Sequence, residues 1–343
     1  MRTAIVDKIG NISIQDRPKP TPGHEEALVK ISSAGVCHSD LHLYNGDWPV
    51  IQPPFPLGHE AIGIVEELGN GAEKYIKQGD RVILGLGGTA GAYWCGACEY
   101  CLAGKPMLCA QRRNLIGTFS EYISIWAKAL VRLPEEVSDT EVPLACAGLT
   151  AYSAIKKLGG FGIQIGKPIA VIGAAGGLGH YAVQIAKAFG YKVIGVDIGS
   201  EKLSFVEELG ADYALDTNEV KRFVDKTFGG VDSSIVFASK MAGFELGMNL
   251  IKVGGVCIIV GLPAFKEGVL PINPFQFILR GYHLAGSLVG TVEEMRELVQ
   301  LSAEGKVKTH VGKVANLSEL NQVFEELEQG KFVGRAIIDN MSE

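Results

Sequence analysis

A chain of 343 residues with 47% hydrophobic and 20% charged side chains is long enough for two packed domains and too apolar to be disordered. Its formal charge of -6 comes without any long block of Lys or Arg, so a nucleic-acid or anionic-membrane partner finds no electrostatic footprint and small molecules are the expected partners. No apolar run approaches the roughly 20 residues of a membrane span, and the opening MRTAIVDKIG carries charges where a signal peptide has its apolar core, so a cytoplasmic location is expected.

In chain order, the first segments are short alternating or apolar runs, EALVKISSAG, AIGIVEELG and DRVILGLG, separated by Gly and Pro. They suit a compact β-rich domain. Within it, GVCHSDLH over residues 35–42 gathers a thiol, two imidazoles, a hydroxyl and a carboxylate, and PLGHE adds His59 and Glu60. From about residue 148 the texture changes: PIAVIGAAGGLGHYAVQIAKAFGYKVIGVD alternates wholly apolar strands with helical patterns, the βαβ rhythm of a parallel sheet covered on both faces. The rhythm runs through GVDSSIVFAS and GGVCIIVGL to YHLAGSLVG and predicts about six strands. Two amphipathic helical patterns and a closing strand, GRAIID, follow, and their pattern fits either domain.

Seven cysteines in a chain without a secretory signal point to metal ligation before disulfides. Cys95, Cys98, Cys101 and Cys109 are spaced C-x2-C-x2-C-x7-C, and two-residue gaps let successive sulfurs turn toward one centre. Four thiolates close a tetrahedron around Zn²⁺ and leave no open position, which makes the site structural; an iron–sulfur cluster is the competing metal reading. Cys37, His59 and Cys146 are a second donor set, two thiolates and one imidazole, with the fourth position open as in a catalytic zinc site. Asp40 is the candidate to orient His59 through its second ring nitrogen, and Glu60 is a candidate extra ligand. Cys257, in an apolar run, reads as a core residue.

Between a β-branched strand and a helix lie Gly173, Gly176, Gly177 and Gly179, with Leu178 among them. Such a turn admits a pyrophosphate to the helix N-terminal amides. The next strand ends in Asp197, where a carboxylate binds ribose hydroxyls and repels a 2′-phosphate, so NAD is expected over NADP. Lys202 stands five residues on, either at the same ribose or simply on the surface.

Together GVCHSDLH, GDWPV, PLGHE, CGACEYC, CAGLT, GAAGGLGHYAVQIAKA, VGLP, GSLVGT and AEGKVKT resemble the zinc-dependent alcohol dehydrogenases of the medium-chain dehydrogenase/reductase superfamily, with most likeness to the yeast and bacterial tetrameric branch. A Cys₂His catalytic site is itself a known feature of alcohol dehydrogenases. The resemblance implies an α/β fold in which a Rossmann NAD-binding domain, residues 148–287, is inserted in a GroES-like catalytic domain, residues 1–147 and 288–343, whose structural zinc lobe covers 95–109. It implies two zinc ions per subunit, NAD, and a homo-oligomer, a tetramer with a dimer as the alternative.

By the same resemblance Ser39 passes the alcohol proton and His42 is the relay's solvent-side base, while His38, Val260 and Arg335 contact the cofactor. Trp48 and Trp94 fall near the substrate pocket. Residues 84–94 and the shortened 110–122 depart from the family's usual pattern and bear on substrate preference. The reaction expected is reversible oxidation of a primary alcohol, with secondary or aromatic alcohols as further substrates, to aldehyde or ketone with NAD⁺. A zinc polyol or sugar dehydrogenase is the alternative on the same fold. A zinc- and nucleotide-binding protein without turnover is the reading from another class.

Overall fold

A computed structural model describes residues 1–48, 50–84 and 91–342. Residues 85–90 of the altered 84–94 stretch therefore lie outside the described residues. The chain divides into two compact units, Met1–Leu149 with Val289–Glu343, and Thr150–Leu288. Among the described residues no helix is long and apolar enough to cross a membrane.

The first unit is built around the strand Glu26–Val36, whose Ala27, Leu28, Val29 and Ala34 are all fully buried. One of its edges pairs with Ala61–Leu68; the other is shared by Tyr122–Trp126 at the Glu26 end and Arg335–Asn340 at the Val36 end. Register shifts at Leu28/Val29 and Ile31/Ser33 mark bulges that bend it. The sheet continues through Arg81–Leu84 to Leu130–Arg132 on one side and to Val311–Asn316 on the other. The two C-terminal strands thus belong to this unit, because Ala336 pairs with Val36. A separate three-stranded sheet holds Asn11–Asp16, Arg2–Lys8 and Phe55–Pro56.

The second unit is a six-stranded parallel sheet in the order Tyr213–Asp216, Lys192–Asp197, Pro168–Ile172, Val231–Val236, Ile251–Ile259, His283–Gly286. Its two central strands, Pro168–Ile172 and Val231–Val236, are buried along almost their whole length because helices such as Gly179–Ala188 and Met241–Leu250 cover the faces. Cys257 is fully buried in this core, and burial lifts its thiol to about 11. The strand order reverses between Pro168–Ile172 and Val231–Val236, which opens a crevice at the carboxyl ends where doubly wound sheets bind ligands.

Candidate active site

The pairing of Ala34 with Ala61 brings the end of one strand beside the start of the next, so Cys37 meets His59 and Glu60. Cys37 caps the short helix His38–Tyr44, and Asp40, the third residue of that helix, closes a capping box. One Asp40 oxygen accepts the Cys37 N–H at 3.0 Å and the other lies 2.8 Å from His59 Nδ1. A single fully buried carboxylate therefore fixes both residues and leaves His59 Nε2 as the coordinating nitrogen. Cys146 follows the 3-10 segment Asp139–Ala145, which packs on the same strands.

The donor atoms of Cys37, His59, Glu60 and Cys146 all lie within 4.8 Å of one another, and all four residues are buried. Glu60 reaches Arg335, whose Nη2 donates to Glu60 Oε2 at 2.6 Å and to the Val36 carbonyl at 2.8 Å. Gly35 makes room for that carboxylate, since a Cβ there would stand 1.9 Å from Glu60 Oε2. The second oxygen, Oε1, is buried without a hydrogen-bond partner among the described residues.

The electrostatics favour anionic sulfur at Cys37. The Cys146 thiol, with His59 and Arg335, holds Cys37 well below the usual cysteine range despite burial, and the same Cys37 contact together with burial raises Cys146. Burial opposes charge on His59, yet Asp40 and Cys37 lift it well above its ordinary value. Burial raises Glu60 to about 7 against the pull of Arg335. Two thiols and an oriented imidazole fit a zinc ion with the fourth position open, within reach of the orphaned carboxylate oxygen.

Ser39 and His42 lie on the same short helix as Asp40, and His38 is exposed at its first position. The Trp48 ring lies 4.7 Å from that of His42. Trp94 is not brought there. Its ring packs edge-on against Trp126 at 4.8 Å, and Trp126 pairs with Glu26, at the far end of the strand that leads to Cys37. Eleven residues of strand at about 3.3 Å each separate the two ends. The Trp94 ring is thus held against Trp126 rather than against His42 and Trp48.

In that lobe the Cys95 sulfur is 3.9 Å from that of Cys101 and 3.6 Å from that of Cys109. Sulfurs bonded tetrahedrally to one zinc at 2.3 Å stand about 3.8 Å apart. The four sulfurs, Cys98 included, lie within 4.8 Å of one another, a spacing for one ion rather than for a cluster whose thiolates reach different irons. Backbone N–H groups of Ala97 and Cys98 pull the Cys95 thiol down to about 6, while burial pushes Cys101 up to about 12. None of the seven cysteines forms a disulfide.

In the second unit the glycine loop follows the strand Pro168–Ile172. Gly173 has a φ of 81°, and a Cβ on Gly179 would meet the Gly173 carbonyl oxygen at 2.0 Å, so helix and strand approach more closely than any larger residue permits. Gly176, Gly177 and Leu178 complete the turn into the helix Gly179–Ala188. Asp197 Oδ2 accepts the Ala175 N–H at 2.9 Å, and its Oδ1 accepts the Ile198 N–H and lies 3.8 Å from Lys202 Nζ. Val260 follows the strand Ile251–Ile259 at the same carboxyl edge. Arg335, expected near the cofactor phosphates, is 2% exposed and sits in the metal cluster of the first unit. Its link to Glu60 is not readable from the sequence, nor are the roles of Gly35 and Trp126.

Residues 23–135 match the alcohol dehydrogenase GroES-like domain and residues 177–304 the zinc-binding dehydrogenase domain. An alcohol dehydrogenase of Geobacillus stearothermophilus is 39% identical over 98% of this chain and 99% of its own length, and one of Moraxella sp. is 37% identical over 99% of both. Among solved structures, the alcohol dehydrogenase of the hyperthermophilic archaeon Aeropyrum pernix has a TM-score of 0.88 at 34% identity, covering 99% of this chain and 100% of that one. The D-arabinose dehydrogenase of Sulfolobus solfataricus has a TM-score of 0.80 at 27% identity, covering 98% of each. With this likeness over nearly its full length, and with two clusters of zinc-type donors, the chain belongs to the zinc-dependent alcohol dehydrogenases, enzymes that join a GroES-like domain to a Rossmann-type parallel sheet.

Proposed function

We propose that the protein reversibly oxidises primary alcohols to aldehydes, and secondary or aromatic alcohols where they fit, with hydride transfer to NAD⁺. The observation that carries this reading is the buried set Cys37, His59, Glu60 and Cys146, oriented by Asp40. Cys37, His59 and Cys146 would hold the catalytic ion with Glu60 as an exchangeable ligand, and Cys95, Cys98, Cys101 and Cys109 a structural one. When bound, zinc supplies Lewis acidity toward the alcohol oxygen and NAD⁺ a hydride acceptor.

The chain's own part is to bind, orient and move the proton. Ser39 takes the hydroxyl proton and passes it toward His42, which releases it to water; Trp48 walls the substrate. The glycine turn Gly173 to Gly179, with Val260 and Lys202, holds the cofactor. The Asp197 carboxylate at the strand end supports NAD over NADP, because a 2′-phosphate there would face a like charge. We assign the first unit as the catalytic domain and the second as the NAD-binding domain.

A homo-oligomer, a tetramer, is supported by apolar side chains that stand open to solvent, Phe265, Val269, Phe275 and Ile278, in the segment that leads into the edge strand His283–Gly286. A reducing compartment suits seven thiols outside disulfides, so we place the protein in the cytoplasm.

The test is NADH formation with ethanol, longer primary alcohols, benzyl alcohol, secondary alcohols and polyols, with NAD⁺ or NADP⁺, before and after chelation. Chelator-sensitive turnover of simple alcohols with NAD⁺ is expected. A preference for polyols would favour the second reading, a sugar or polyol dehydrogenase, which has the likeness to the D-arabinose dehydrogenase in its support.

A further inference from the structure

The helix His38–Tyr44 ends in a way that returns the chain to His42. Asn45 is its C-cap, Gly46 takes the left-handed conformation at φ 69°, and the N–H of Gly46 donates to the Leu43 carbonyl at 3.2 Å. The N–H of Asp47 then donates to the His42 carbonyl at 2.9 Å. These two bonds form a Schellman closure, which needs an αL residue at Gly46 and only a backbone N–H at the next position. The Asp47 carboxylate is therefore surplus to the cap. It turns to the same residue instead: its Oδ2 lies 2.9 Å from His42 Nδ1.

That contact decides which ring nitrogen carries hydrogen. An ionised carboxylate only accepts, so Nδ1 must donate and Nε2 is left with its lone pair outward. Trp48 lies against the ring at 4.7 Å with 30° between the planes, which limits its rotation. The His42 side chain keeps 14% of its surface exposed, enough for a proton to leave to water. On the same helix His38 lies within electrostatic reach of His42. The packed helix Leu320–Glu328 directs Glu328 to Asn45 and Asn321 to the Tyr44 hydroxyl, not to His42.

We propose that Asp47 is a positioning residue of the dehydrogenase reaction: it holds His42 in the tautomer and orientation in which Nε2 takes the proton handed on from Ser39. This rests on the reading of His42 as the end of the relay. In the step, the proton moves from the Ser39 hydroxyl, which has taken the alcohol's, to His42 Nε2; the imidazolium formed is stabilised by Asp47 and returns to neutral imidazole by giving the proton to water.

The test uses the zinc-loaded enzyme with NAD⁺ and a primary alcohol, and three variants. Asp47→Asn keeps the shape and removes the charge that stabilises the imidazolium, so kcat at neutral pH should fall several-fold. Asp47→Ala should lower kcat at neutral pH roughly tenfold, leave KM for NAD⁺ unchanged, and be restored in part by formate, which supplies the missing carboxylate. Nitrogen NMR of labelled histidine should report Nδ1–H at His42 in the native protein and a mixture of tautomers in Asp47→Ala.

His42→Ala separates the two ideas. If it leaves the pH profile as in the native enzyme, the relay reading itself fails. If it lowers kcat while Asp47→Asn does not, the relay stands and the role of Asp47 is overturned. A loss in Asp47→Ala that formate does not restore, with the tautomer unchanged, likewise reduces Asp47 to a structural residue.

Discussion

Asp40 accepts from His59 Nδ1 at 2.8 Å and, with its other oxygen, from the backbone N–H of Cys37 at 3.0 Å, so one buried side chain sets the direction of two residues of the metal cluster. Replacing it by Ala frees both at once. Asp40→Ala should weaken zinc binding at the Cys37 cluster by about 10- to 100-fold, measured by chelator competition, while zinc in the cysteine lobe is retained. Unchanged competition would show that His59 needs no partner.

The close approach of Gly35 to Glu60 makes a sharper steric prediction. Gly35→Ala puts a methyl 1.9 Å from Glu60 Oε2, and the carboxylate that must move is the one bonded to Arg335. Breaking a buried charge pair costs about 3–5 kcal/mol, so the denaturant midpoint should fall clearly. Gly159→Ala, on a helix with open space around it, should be neutral or slightly stabilising. Equal midpoints for the two variants would refute the packing argument.

These two relationships mark where sequence reading stops. The parallel sheet is legible because apolar strands and helical patterns repeat with a period that sequence displays, and the donor clusters because cysteines at two-residue gaps are rare unless they converge. Arg335 and Glu60 are 275 positions apart and belong to no periodic pattern, so only the pairing of Arg335–Asn340 with the end of Glu26–Val36 unites them. Trp94, placed near the pocket by the family resemblance, is another such case: its ring is positioned by Trp126, a partner 32 residues later on a strand.

The cysteine lobe should behave as a separate metal-dependent element. Its two short helical segments, Glu99–Leu102 and Pro106–Leu108, leave Leu102 and Leu108 exposed and offer little apolar core of their own. Cys98→Ser should therefore lower the zinc content by one ion per chain and open residues 95–109 to protease, because the binding free energy of the ion is folding free energy there. Cys146→Ser should lose the other ion without exposing the lobe. A lobe that stays protected in Cys98→Ser would mean that its loops hold themselves.

Asp212 supplies a pH-dependent contribution within the second unit. It bonds Lys187 Nζ at 2.8 Å and the Val193 N–H at 2.7 Å, tying the helix Gly179–Ala188 to the strand Lys192–Asp197. Partial burial works against its charge, but Lys187 and the Val193 N–H outweigh it and hold the carboxyl below its ordinary value of 3.8. The folded chain thus binds this proton more weakly than the unfolded chain, so the contribution is complete above 3.8 and is lost as pH falls through the lowered value. Asp212→Asn keeps an acceptor for Val193 and removes the charge; at neutral pH it should cost roughly 1 kcal/mol, the range of a partly screened charged hydrogen bond. Urea midpoints of the two proteins should converge as the pH is lowered past the ordinary carboxylate range, and a gap that stays constant would show that the charge on Asp212 contributes nothing.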